Sequence, residues 1–242
     1  MTRPIKTAKS YSTALAAVNN PAEIPAYLKK IYRFQYLNEK FSELIDGEWM
    51  AKFQTFFFDS KLTKCVTDEI REDMNVLQLG VASGNFEREV AAKMNSTGLY
   101  RIEDLSKVRL EACRKKLAPW TNVLLDQQDV CVLTKNPKRY DAVICYFMLH
   151  ELPDVRKKAL VKKAFDSLLP NGCVVFVDYN KPHPLNPLGF FVKRFNRIFE
   201  PFAESLYYHE IQSFADSSAP NLIWDKKTFC AGLYQCVIAQ RH

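Results

Sequence analysis

Val76-Leu77-Gln78-Leu79-Gly80-Val81-Ala82-Ser83-Gly84-Asn85-Phe86 is the stretch on which the fold turns. Its first half, from Asn75 to Leu79, is a short apolar run of strand length, and a glycine-bearing turn follows it at once. Gly80 lets the strand turn tightly, Ala82 is small enough for a ligand to approach the backbone, and Gly84 opens the helix near Phe86–Met94. A helix that begins there points unpaired N–H groups at whatever lies over the turn, which suits a carboxylate or a phosphate.

Working outward, the same rhythm repeats. Strands are expected at Leu99–Ile102, Val123–Leu125, Ala142–Tyr146 and Cys173–Val177, with helices at Lys107–Leu117 and Val155–Leu168 between them. Pro170-Asn171-Gly172 is expected to stop the last of these helices. Such alternation means an α/β fold: a mostly parallel, Rossmann-like sheet with helices on both faces and its ligand beyond the carboxyl ends of the strands. Residues 181–216, rich in Pro, Phe and basic side chains, interrupt the alternation and are expected to form two helices over the sheet edge, a lid. Residues 221–225 and 231–239 read as two closing strands, a hairpin around Lys226–Cys230. Upstream, residues 1–20 read as a flexible basic tail and 21–73 as a helical cap, with an aromatic run at Trp49, Phe53, Phe56, Phe57 and Phe58. The sheet domain is then 74–242.

The chain has 242 residues, 48% hydrophobic and 25% charged, which excludes disordered, collagenous and disulfide-scaffold classes. No apolar run approaches the ~20 residues that a spanning helix needs. The first 22 residues carry no acid, so a transit peptide is the second reading of the tail. Seven cysteines without CxxC spacing read as free thiols in a reducing compartment. The expected location is the cytoplasm, with the inner face of the inner membrane as a candidate site there and the mitochondrial matrix side as the alternative. A net charge of +7 permits nucleic acid, an anionic membrane surface or an anionic cofactor. Lysines spread over 107–116 and 156–163 look like solvated faces, and no accessory RNA module is visible, so nucleic acid ranks low.

Residues at the strand tips carry the chemistry. Asp104, about twenty residues beyond the glycine turn, is placed to hold the two hydroxyls of a ribose, with Leu105 beside it and Glu103 as a substitute. Asp129 in Gln127-Gln128-Asp129-Val130 is placed to accept from an adenine amine. A third glycine for a pyrophosphate is missing. Together Gln78, Gly80, Ala82, Gly84, Asp104, Leu105, Asp129, Val130 and Tyr146 describe a nucleoside site that fits S-adenosyl-L-methionine better than NAD. His150-Glu151 and Asp178-Tyr179 follow strands four and five and face the same pocket, so His150, Asp178 and Tyr179 are the candidate catalytic residues, as base or orienting groups.

From Val76 onward the chain resembles the class I S-adenosylmethionine-dependent methyltransferases. There an acid and then Gly-x-Gly-x-Gly are usual; here Gln78 stands at the acid and Ala82 at the middle glycine. Within that superfamily it is similar to the RquA family of rhodoquinone biosynthesis proteins, related to quinone methyltransferases. The match is carried by Val76-Leu77-Gln78, Asp104 with Leu110, Arg114-Lys115-Lys116-Leu117, Gln128-Asp129, Leu149-His150-Glu151, Val177-Asp178-Tyr179-Asn180-Lys181-Pro182 and His183-Pro184-Leu185. Glu200-Pro201-Phe202-Ala203, His209-Glu210-Ile211 and Gly232-Leu233-Tyr234-Gln235 continue it. The resemblance implies conversion of ubiquinone to rhodoquinone, a ring methoxy replaced by an amine with S-adenosylmethionine as nitrogen source. It also implies assistance from a manganese ion (Mn2+), with His150, Asp178 and His209 as candidate ligands. Gln78 would free the methionine amine from its usual carboxylate partner and leave it a better nucleophile. The alternatives are a conventional methyltransferase acting on a quinone, phenol or other small acceptor, and a regulator that only senses the nucleoside. Leu188–Phe199, aromatic and basic, suits either an interfacial helix at a membrane surface or an ordinary lid helix.

Overall fold

In a computed structural model, residues 25, 52, 54–133, 139–215 and 222–241 are described. The basic tail, most of the helical cap, and Trp49 and Phe53 of the aromatic run lie outside these residues. No helix among the described residues is long and apolar enough to cross a membrane.

The β-strands β1 (Asn75–Leu79), β2 (Leu99–Asp104), β3 (Val123–Gln127), β4 (Tyr140–Tyr146), β5 (Leu168–Tyr179), β6 (Leu222–Phe229) and β7 (Tyr234–Arg241) form one sheet in the order β3-β2-β1-β4-β5-β7-β6. The first five run parallel, and β7 inserts antiparallel between β5 and β6. The order reverses between β1 and β4, which opens the crevice where such sheets bind ligands.

Period-two alternation along buried strands gives each face its own core. Val76, Ile102, Ile144 and Val175 face helices α1 (Asp59–Thr67), α2 (Phe86–Lys93) and α3 (Lys107–Lys116), where Leu62, Val66, Val90 and Leu110 complete the layer. Leu77, Leu79, Val143, Val174 and Phe176 face α4 (Asp154–Asp166), through Leu160, Val161 and Phe165. The expected strands of the sheet and the helices between them are present, with boundaries moved by a few residues.

Three local readings change. Pro170-Asn171-Gly172 does not stop a helix, because α4 has already ended at Asp166; it forms a bulge inside β5. Tyr140 pairs with Leu168 but Ala142 with Cys173, and the extra residues bend out through Asn171 at φ 64°. The closing hairpin turns at residues 230–233, not 226–230. Cys230, Ala231 and Gly232 all have left-handed backbone (φ 52°, 48° and 82°), and β6 continues to Phe229. A Cβ on Gly232 would lie 3.1 Å from the Lys181 carbonyl, so glycine lets the turn press against the start of the inserted segment. Asn180 and Asn186 then tie the turn down, donating Nδ2 to the Gly232 and Cys230 carbonyls at 2.7 and 2.8 Å.

The inserted segment holds one α-helix, α5 (Pro187–Phe199), and two short 3-10 turns, Ala203–Tyr207 and Ile211–Phe214, where two helices were expected. Asn186 caps α5 by accepting from the Leu188 and Gly189 N–H groups, and Pro187 fills its first position. Lys157, fully buried on α4, anchors the segment: within hydrogen-bond distance of its Nζ lie the Leu152 and Phe202 carbonyls (2.8 Å each), Ser205 Oγ (2.7 Å) and Asp154 (3.0 Å), which share its three N–H donors.

Candidate functional site

The turn after β1 is built as its residues dictate. Gly80 (φ 92°) and Gly84 (φ 76°) take left-handed backbone. A Cβ on Gly80 would fall 2.6 Å from Met148 Sδ, so the β4 tip packs straight onto the turn. Asp104, buried at the tip of β2, accepts from Val81 N at 2.8 Å and from Ser106 N at 2.7 Å. A carboxylate has about four accepting positions, so these bonds fix its orientation and leave capacity for two hydroxyl donors.

Glu103 does not substitute for it. Strand alternation sends its side chain to the other face, where it forms a buried ion pair with Lys163 of α4 and lies 3.4 Å from Arg101. Leu105 and Val130 are buried beside Asp104 and Asp129 at neighbouring strand tips. Asp129 is heavily engaged: it accepts from Cys131 N at 2.9 Å and pairs through both oxygens with Arg156. Tyr146 stacks on Phe86 with centroids 3.8 Å apart and approaches Thr63 Oγ1 at 3.5 Å, joining the β4 tip to α1 and α2.

Gln78 is fully buried. It accepts from Tyr100 OH and donates Nε2 to the Gly80 carbonyl (2.8 Å) and to Glu87 Oε1 (3.1 Å). Glu87 also accepts from Ala82 N, and Lys116 Nζ lies 3.5 Å from its other oxygen. The carboxylate missing from the β1 tip is therefore returned from the first turn of α2. Sequence reading passed over Glu87, though its position on the apolar stripe with Val90, Ala91 and Met94 marks it as a buried charge with a task. Arg109 was passed over too. It donates to the Val81 carbonyl and stands 3.7 Å from Asp104 and 3.8 Å from Glu151. One guanidinium so links the β2 tip to the His150-Glu151 corner.

His150 and Asp178, each expected to face the pocket, are hydrogen-bonded to one another. Asp178, fully buried at the tip of β5, accepts from His150 Nδ1 at 3.0 Å and from the His150 and Tyr179 backbone N–H groups at 3.2 and 2.8 Å. Burial pulls the imidazole toward the neutral form, but the Asp178 carboxylate, with Glu200 and Glu151, outweighs it and raises the pKa to about 9. Burial pushes the Tyr179 phenol well above its ordinary value, so it stays a hydroxyl. The rings of Phe147 and Tyr179 stand edge-on to His150 at 6.1 and 5.1 Å, and Tyr207 and Tyr234 flank Tyr179 at 6.5 and 5.8 Å. Among the described residues, Gln235 Oε1 and Asn196 Oδ1 are buried with no donor. Gln235 lies opposite Asp178 in the β5–β7 register, and Asn196 donates to Tyr207 OH at 2.7 Å.

The expected metal triad is not assembled. His209 is exposed on the inserted segment, edge-on to Phe214, while His150 and Asp178 satisfy each other. Among the described residues no group of three His, Cys, Asp or Glu side chains is arranged to hold a metal ion, so these residues do not fit manganese.

Residues 76–172 match the family model of the methyltransferase domain. The match covers about two fifths of the chain. The strand order and antiparallel β7 give the chain the class I methyltransferase fold, as the solved structures bear out. An O-methyltransferase family protein from Burkholderia thailandensis superposes with TM-score 0.64 at 13% identity, over 96% of this chain and 68% of that one. The N-methyltransferase NodS from Bradyrhizobium japonicum WM9, in complex with S-adenosyl-L-homocysteine, gives 0.57 at 12%, over 89% and 98%. A possible exported protein from Bordetella parapertussis gives 0.61 at 15%, over 96% and 78%. A search of curated protein sequences found no significant match. The matched region ends within β5, so Asp178, Tyr179, the inserted segment and the closing hairpin lie outside it.

Proposed function

We propose that the chain is an S-adenosyl-L-methionine-dependent methyltransferase that methylates a hydroxyl of a small, lipophilic aromatic acceptor such as a quinol or phenol. The observation that carries this reading is the His150–Asp178 pair, joined through Glu151 and Arg109 to Asp104 beside the glycine turn. The donor set fits the cofactor: Asp104 for the ribose hydroxyls, the turn at residues 80–84 and the start of α2 for the methionine carboxylate, Glu87 for its amine. When bound, that cofactor supplies a methyl group already activated as an electrophile.

The chain then has to align the acceptor and remove its proton. With Nδ1–H donated to Asp178, the neutral imidazole presents Nε2 as the base, and the imidazolium formed on proton uptake is held by the same carboxylate. Phe147, Tyr179, Tyr207 and Tyr234 cluster beside His150 and would give an aromatic acceptor its apolar surroundings. The free oxygens of Gln235 and Asn196 would accept from acceptor hydroxyls. The test is incubation with S-adenosylmethionine and a short-tailed quinol, read by mass spectrometry for S-adenosylhomocysteine and methylated product, beside calorimetric titration of the cofactor into the parent and Asp104→Ala. Binding that survives Asp104→Ala unchanged would sink the reading.

A second reading is the aminating one, an RquA-like conversion of ubiquinone to rhodoquinone; Gln78 at the β1 tip supports it, Glu87 beneath the turn weighs against it. Transfer of label from the cofactor's amino nitrogen into the quinone decides for it, and methyl label in the product decides against it.

A further inference from the structure

Helix α5 is packed inside out. The face it turns to the protein carries Gly189, Lys193 and Asn196: a Cβ on Gly189 would strike the Pro182 ring at 2.6 Å, Lys193 Nζ rests 5.1 Å from the centre of the Tyr207 ring, and Asn196 bonds Tyr207 OH. Val192 is half-buried against the core, but most of the apolar side chains of α5 point the other way. Phe190, Phe191, Phe195, Ile198 and Phe199 are 69%, 67%, 57%, 65% and 55% exposed, with Leu185 before the helix at 84%. Phe191, Phe195, Ile198 and Phe199 follow the i, i+4, i+7, i+8 spacing of one helix face, so their exposure is a single stripe rather than scattered side chains.

We propose that this stripe seats the protein on an anionic lipid surface, with α5 lying in the plane of the interface. The exposed guanidiniums of Arg194 and Arg197 lie on the same helix, Arg197 3.7 Å from the exposed carboxylate of Glu204, and the chain carries a net charge of +7. A second copy brought face to face would oppose like charges, whereas an anionic headgroup layer complements them. Thirteen residues make a helix of about 20 Å, too short to cross a bilayer. Through Tyr207, α5 adjoins Tyr179 and the His150 corner, so an acceptor dissolved in the lipid would reach the aromatic cluster from that side. The docking itself stands apart from the methyl-transfer reading.

The test is flotation of the full-length protein with vesicles of phosphatidylcholine alone and with vesicles enriched in phosphatidylglycerol. Co-flotation with the anionic vesicles at low salt is expected, falling with added salt. Phe191→Ser/Phe195→Ser/Phe199→Ser and, separately, Arg194→Glu/Arg197→Glu should each lower the partition coefficient by at least about tenfold. Both should melt with the parent, because the changed side chains are exposed. Failure of the parent to float with anionic vesicles at low salt overturns the proposal, as does undiminished flotation of both variants. So does sedimentation showing a dimer that the serine variant dissociates, since a second copy would then be what covers the stripe. Cofactor binding, measured in parallel, is expected to be unchanged in every variant.

Discussion

His150 and Asp178 are bound to each other twice, ring to carboxylate at 3.0 Å and backbone N–H to carboxylate at 3.2 Å, across the tips of β4 and β5. The pair sets a pH dependence whose sign follows from the raised imidazole pKa of about 9. As base, His150 must be neutral, so kcat/KM for methyl transfer should rise with pH and level off above about 9. Asp178→Asn should shift the rising limb to lower pH and reduce the plateau. A profile flat from neutral to alkaline pH would remove His150 from the role.

The same shift bears on stability in the opposite sense. A histidine whose pKa is higher folded than unfolded stabilises the fold fully below its ordinary value near 6.5, and that contribution is lost as pH rises through about 9. Parent minus His150→Gln melting temperature, scanned over that window, should therefore fall with rising pH.

Glu103 and Lys163 form a buried ion pair between β2 and α4, behind the cofactor edge. Lys163→Met leaves the buried carboxylate with Arg101, 3.4 Å away, as its remaining cation, so the cost should fall below the ~3–5 kcal/mol of a wholly unpaired buried charge, at about 1–3 kcal/mol. Glu103→Leu added to it should recover most of that loss. Urea denaturation of the single and double variants measures both; a single variant as stable as the parent would show that the pair contributes nothing.

Gly80→Ala meets two obstacles, a φ of 92° and Met148 Sδ 2.6 Å from the new Cβ. The sulfur end of Met148 is flexible, so the backbone dominates, and the expected cost is about 1–3 kcal/mol. Calorimetric unfolding should show that adding Met148→Ala relieves little of it. Full relief would make the clash, not the turn, the reason for glycine.

Glu87→Gln should weaken S-adenosylmethionine binding by about tenfold or more, the loss of one charge-assisted hydrogen bond. Titration calorimetry reads it directly. Affinity equal to the parent would show that Glu87 serves only the turn.

Local chemistry reached a long way into this protein. Short apolar runs with a glycine turn, and helices of the right length between them, settled the α/β class, the parallel strands and which residues stand at their tips. A strand's period and a glycine's conformational freedom are properties of a few neighbouring residues. Asp104 was legible as the candidate ribose acid, but what occupies Glu103 was not, because Lys163 meets it from sixty residues away. Nor were the return of a carboxylate to the turn by Glu87, the failure of His209 to join His150 and Asp178, or the outward phenylalanines of α5. Each is a matter of where distant segments stop and which burial the whole sheet permits. Spacing along the chain carries no record of that.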